Sequence, residues 1–243
     1  MLAHMPRKPT ARRSRVRRAV AITLVLLAGL LIAADRIGLA VAERAAAVTL
    51  QRSQHLTQRP SVSIAGFPFL TQLVSGKYDD IHVTADDVTV ADGSTSLRIA
   101  QLDVTLHHVT VSRDFTSARS QYGTATALVH YADLAQLLGT QLSYAGAGRV
   151  RASAQVGVVP GLDVPASATA AVRVDGDALV FYDVRVSIAG QAVPAALTAY
   201  FAGLFGNSVS LRGLPFGVHV QSVGLAADGV RVALTASGLT YQR

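Results

Sequence analysis

Leu97-Arg98-Ile99-Ala100-Gln101-Leu102-Asp103-Val104-Thr105-Leu106-His107-His108-Val109 sets how this chain folds. Apolar and polar residues alternate along it, the period of a strand with one buried face. Twice the apolar phase moves by one residue, first between Ile99 and Leu102 and again between Leu106 and Val109. Two β-bulges would keep one face buried through both shifts while coiling the strand, as a strongly curved sheet requires. The same period of two runs through Ile81-His82-Val83-Thr84 and Val230-Arg231-Val232-Ala233-Leu234. Asp92-Gly93, Asp175-Gly176 and Asp228-Gly229 punctuate it as turns. Residues 60–243 therefore read as a single β-rich domain of ordinary length, in a chain whose residues are 50% apolar.

Upstream the period changes to that of a helix, unbroken from Ala19 to about Gln58 and stopped by Pro60. Such a helix would be ~60 Å long at 1.5 Å per residue. Its first part, Ala19 to Ala34, is uncharged and comes directly after seven basic residues with no acid among them: Arg7, Lys8, Arg12, Arg13, Arg15, Arg17 and Arg18. Basic residues stay on the cytoplasmic side of an apolar span, which sends the chain after Asp35 across the membrane. Sixteen uncharged residues fall short of the ~20 that span a hydrocarbon core, although Arg17, Arg18 and Arg36 can snorkel to the two interfaces. Two readings stay open. The unbroken helix favours an uncleaved single-pass anchor, whereas Ala40-Val41-Ala42 offers the small residues of a signal cleavage site. The organisation expected is a basic tail over 1–18, an anchor or signal over 19–34, a helical stalk over 35–59 and the β-rich domain over 60–243.

Charge and cysteine usage exclude several classes. The chain holds 22 basic and 15 acidic residues, and removing the seven tail cations leaves 15 of each. The folded part carries no net basic surface, so nucleic acid is not an expected partner. Cysteine is absent, which removes disulfides, thiolate metal sites and thiol acylation. There is no G-x-S-x-G elbow, Walker loop, G-x-G-x-x-G or H-E-x-x-H. His107 and His108 are neighbours in a strand and should point to opposite faces, so they do not chelate one ion. Asp79-Asp80 and Asp86-Asp87 lack the spaced oxygen ligands of a calcium loop and read as solvated pairs. Gly146-Ala147-Gly148 is too short for a phosphate cradle and reads as relief of crowding in a coiled strand. No enzyme, metal or cofactor is expected.

Three short helical patterns interrupt the strands: Phe69 to Val74 before Gly76, Ala132 to Leu138 before Gly139, and Ala195 to Phe205. They would plug the open ends of the sheet, line an apolar groove, or do both.

The segment from Ile64 to Ile81, which holds Gly66-Phe67-Pro68-Phe69-Leu70 and Ser75-Gly76-Lys77-Tyr78-Asp79-Asp80, comes directly after the apolar helix and leads into a strand. It resembles the opening of the LmeA-like phospholipid-binding proteins of actinobacterial cell envelopes. Tyr131-Ala132-Asp133-Leu134, and Leu214-Pro215-Phe216-Gly217-Val218-His219-Val220 with Asp228-Gly229-Val230, are similar to its middle and closing stretches. The resemblance covers the chain from about Leu39 onward. It implies an α+β, mostly β fold, with a strongly curved antiparallel sheet wrapped around a long N-terminal helix and short plug helices, as in BPI-like or tubular lipid-binding proteins. It also implies a location in the periplasm or cell-wall space, phospholipid or glycolipid as partner, and a link to maturation of lipomannan-type glycolipids, with no catalytic motif.

The residues agree with binding on their own terms. A neutral, apolar β domain beside a bilayer can remove acyl chains from water, at ~0.8 kcal/mol per methylene. Candidate lipid contacts are Phe67, Phe69, Leu70, Leu73, Val74, Leu197, Phe201, Leu204, Phe205 and Phe216, with Lys77, Arg149 and Arg151 as head-group cations. Two other functions compete. One is a non-catalytic envelope scaffold, and the other is a hydrolase or glycosyl-transfer accessory built on Asp79, Asp80, Asp86 or Asp87.

Overall fold

The computed structural model describes residues 11–92, 95–114, 116–138, 140–159, 162–176, 178–188, 191–193, 208–210 and 218–242. The third expected helix, Ala195 to Phe205, and with it Leu197, Phe201, Leu204, Phe205 and Phe216, lies outside these residues. Helix α1 (Ala11–Ser53) is followed by strand β1 (Ser61–Ile64), helix α2 (Phe69–Ser75), and the long strands β2 (Lys77–Asp92), β3 (Thr95–Val111) and β4 (Ser117–Val129). Helix α3 (Tyr131–Leu138) leads to β5 (Gln141–Gly146), β6 (Arg149–Val159), β7 (Leu162–Asp175), β8 (Ala178–Ile188) and β9 (Gln191–Ala192). The remaining strands are β10 (Ser208–Ser210), β11 (Val218–Ala226), β12 (Gly229–Ser237) and β13 (Thr240–Gln242).

The fold is mostly β, with a long N-terminal helix and curved antiparallel sheets that do not close. One sheet runs β1-β2-β3-β4-β12-β11 with β13 beside β4, and the other β10-β8-β7-β6-β5 with β9 beside β8. They meet where β11 packs on β7, and α3 touches both through β3 and β5. Asp175-Gly176 and Asp228-Gly229 close hairpins between consecutive antiparallel strands, and β2 pairs antiparallel with β3, while Gly93 lies outside the described residues.

The two phase shifts in β3 occur at the expected places but by a different device. Tyr78 pairs with Val109 and Asp80 with His107, while Asp86 pairs with Gln101 and Val88 with Ile99. Asp79 and His108 are skipped together, as are Asp87 and Ala100, so the register is the same on both sides. His108 and Asp87 take left-handed backbone at φ 52° and 54°. Both strands turn over at the same level, which an extra residue in one strand alone would not do. The apolar face therefore continues from Tyr78 and Val109 through Ile81, Leu106, Val83, Val104 and Leu102 to Val88 and Ile99.

Other details also differ from expectation. Gly146-Ala147-Gly148 is the turn between β5 and β6, with all three residues at positive φ. Helix α1 stops at Ser53 rather than near Gln58. His55 turns left-handed at φ 52°, and the Leu56 N–H donates to the Gln51 carbonyl at 3.0 Å, which closes the helix with a Schellman-type end.

The C-terminal half of α1 packs on β1 and α2. Asp35, Leu39, Ala42, Glu43 and Ala47 recur at the spacing of one helical face, and that face is the covered one. Its two acids meet backbone donors: the Leu70 N–H donates to Asp35 Oδ1 at 2.8 Å, and the Ile64 N–H to Glu43 Oε1 at 2.9 Å. Leu70 is the second residue of α2, whose own cap position, Pro68, supplies no side-chain acceptor. Asp35 thus caps α2 from another helix. Caps of this kind contribute about 1 kcal/mol, so Asp35→Ala should speed hydrogen exchange at the Leu70 amide about fivefold. Asp35→Asn, which keeps an acceptor, should stay near the wild-type rate, and amides of the β11–β12 hairpin should not change in either variant.

Candidate functional site

The sequence candidates on α2 divide into one core residue and a set of exposed ones. Phe69 is 1% exposed and packs with Tyr78 and Val109, its ring centroid 6.5 Å from that of Tyr78. Leu39 and Ala42 of α1 close over this cluster from one side, Ile81 and Leu106 from the sheet. Burial pushes the Tyr78 phenol up from its ordinary pKa. With Phe69 inside, Val74 points outward at 84% exposure, while Leu70 and Leu73 stay partly exposed at the edge of the buried face. Phe67 is also exposed, and the Arg36 guanidinium lies 5.2 Å from its ring centre. Gly38 faces α2, where a Cβ would make ordinary contact with the Leu70 and Phe69 side chains at 3.4 and 3.8 Å.

Past α2, a cavity of about 310 Å³ is lined by Leu73, Val74, Gly76, Val111, Ser112 and Arg113. Lys77 is exposed at the start of β2, paired with Thr110. Lys77 follows α2 directly without lining the cavity, which instead adds Arg113, not among the residues singled out from the sequence. A signal for it exists there. The hairpin pairs Lys77 with Thr110, so the end of β3 lies beside the start of β2, and Arg113 follows soon after β3 ends at Val111. Hydrogen bonds from Ser112 and Thr116 hold the neighbouring Asp114 carboxyl down at about 2.

Arg149 and Arg151 lie elsewhere, on β6 of the second sheet. Arg149 pairs with Asp183 and also donates to the Thr169 carbonyl at 3.3 Å, so its guanidinium ties three strands together. Arg151 is exposed on the polar face of that sheet, opposite Ser143 and Thr169. That face holds two cavities, of about 530 and 400 Å³, which share Gln141, Ser153 and Gln155. Their linings mix the polar side chains Gln141, Ser153 and Gln155 with the apolar Ala132, Ala135, Pro165 and Ala166.

The acidic and histidine candidates are engaged with each other. His107 Nδ1 lies 2.6 Å from Asp80 Oδ1, and Asp87 accepts from Arg98 at 2.5 Å and from Gln58 at 3.0 Å. His107 and His108 do not diverge as a regular strand would have them. Both rings lie against Tyr122, at 4.3 and 6.2 Å between centroids, because His108 turns left-handed. Among the described residues, no group of three His, Asp or Glu side chains could hold a metal ion.

The family model for LmeA-like phospholipid-binding proteins matches residues 33–235. The chain belongs to that family. The match begins two residues before Asp35, so it takes in the half of α1 that packs on the domain. Comparison with curated proteins and with solved structures gives no match.

The Asp183 pairing makes a pH prediction in this LmeA-like chain. Arg185 first, and Arg149 with it, hold the Asp183 carboxyl below its ordinary value. A carboxyl lowered in the folded state adds stability above its unfolded value, near 3.9, and loses that contribution as pH falls through the lower folded value. Asp183→Asn should therefore be less stable than wild type at pH 7, and the gap should narrow below about pH 4. Thermal denaturation at pH 7 and pH 3 checks both statements.

Proposed function

We propose that this protein is a non-enzymatic phospholipid carrier of the cell envelope, anchored by α1, that shelters acyl chains on the apolar face of its curved sheets. The observation that carries the reading is a continuous apolar face that the described residues cover only in part. Val83, Val88, Ile99, Leu102 and Val104 of β2 and β3 share it with Val223, Leu225, Val232 and Leu234 of β11 and β12. Among the described residues, none of these nine is fully buried. A row of large aliphatics left half-covered is a surface for an apolar partner, and family membership makes phospholipid the leading one.

Ten sheltered methylenes would be worth about 8 kcal/mol, whereas an exposed ion pair contributes about 1 kcal/mol or less. Apolar burial supplies the affinity, and Lys77 and Arg113 bias the head group. The basic tail before the apolar span supports an N-terminus in the cytoplasm and a domain in the periplasm or cell-wall space. The family resemblance supports a place in the maturation of lipomannan-type glycolipids, with this protein presenting lipid.

The full chain in nanodiscs, mixed with vesicles carrying a self-quenched fluorescent phosphatidylethanolamine, tests the proposal. Dequenching above that of empty nanodiscs is expected. Val90 lies on the same face and is already exposed, so Val90→Asp should leave the fold intact while weakening uptake about tenfold, the effect of ~1.4 kcal/mol. Asp103→Asn on the opposite face should change nothing. No uptake by the wild type would favour the scaffold reading instead.

A further inference from the structure

We infer that α2 is a second membrane contact, seated in the outer leaflet beside α1, so that the domain rests on the bilayer instead of standing off it. The inference depends on the anchored reading of α1 and adds where the domain sits. The uncharged run Ala19 to Ala34 is about 24 Å of helix, against a hydrocarbon core of about 30 Å. Asp35 would end the span there if it faced lipid. It does not: its side chain is buried under α2, bonded to the Leu70 N–H at 2.8 Å and to Arg36 at 2.5 Å.

On the uncovered side of α1 the apolar surface continues. Ile37, Ala40 and Val41 are exposed, and after Arg36 the next exposed charge is Arg44. Ala19 to Val41 is about 35 Å of helix, enough to cross. Arg36 lies within this longer belt, five residues before its end, and its charge is met there by Asp35 while its guanidinium rests near the Phe67 ring.

The Asp35 to Leu70 hydrogen bond then fixes the height of α2. It lies level with the last turns of the span, with Leu70, Leu73 and Val74 exposed on it and Phe67 exposed just before it. Lys77 and Arg113 come directly after, both exposed. Apolar side chains bordered by cations match the boundary between acyl chains and anionic head groups. The occupant of this surface is the outer leaflet of the membrane that α1 crosses.

The absence of cysteine permits a clean test. Val74→Cys and Thr89→Cys, both at exposed positions, are labelled with an environment-sensitive fluorophore in the full chain, reconstituted in phosphatidylglycerol and phosphatidylethanolamine vesicles. Thr89 lies about 40 Å farther along β2, at 3.3 Å per residue. The label at 74 should emit blue-shifted light and be quenched several-fold by lipids carrying a shallow spin label, while the label at 89 stays aqueous. An aqueous signal at both positions overturns the inference. A third label at Ala28→Cys separates the causes: if 28 is embedded and 74 aqueous, the seating of α2 alone is wrong, and if 28 is aqueous, the anchored reading fails with it.

Discussion

A carboxylate one residue beyond an apolar span must find donors or remain a costly intruder, and the way Asp35 is satisfied sets how α1 meets the domain. Its partner is the Leu70 amide at the open end of α2. That bond holds α2 against α1, which places Phe69 in the core and leaves Val74 outside it. Glu43 repeats the device on β1. The helix that carries the apolar span is therefore part of the domain's packing, and a chain cut after Ala42 would lose Asp35 and Leu39 from that contact.

The sheets bring a different constraint. Long strands must twist, and β2 and β3 do so by turning over together at two levels, with His108 and Asp87 as the left-handed residues. The paired change of phase keeps one face apolar along nearly the whole hairpin. Continuity of that face, rather than any single side chain, makes lipid a fitting partner. The titratable groups serve structure: Asp80 meets His107, Asp87 meets Arg98, and Arg149 meets Asp183.

Strand period, Asp-Gly turns and the first two short helices are legible in the sequence because each is a local signal. Contacts distant in sequence set the remainder. Asp35 reads as the end of a span because nothing near it reveals a partner thirty-five residues away. Arg149 reads as a free cation because Asp183 belongs to another strand. The rule that puts His107 and His108 on opposite faces holds only for regular backbone, and His108 departs from it. Arg113, by contrast, has a local signal, because the hairpin returns the end of β3 to the start of β2. The family resemblance, resting chiefly on residues 64 to 81, agrees with the match over residues 33–235.

Native mass spectrometry of the full chain released from nanodiscs is the decisive measurement for an anchored lipid carrier, because one spectrum reports both the N-terminus and any bound lipid. The species expected is the intact chain, α1 included, with mass increments of whole phospholipids that survive mild activation. A bare chain with no lipid increment would contradict the carrier, and a mature chain that begins after Ala42 would contradict the anchor.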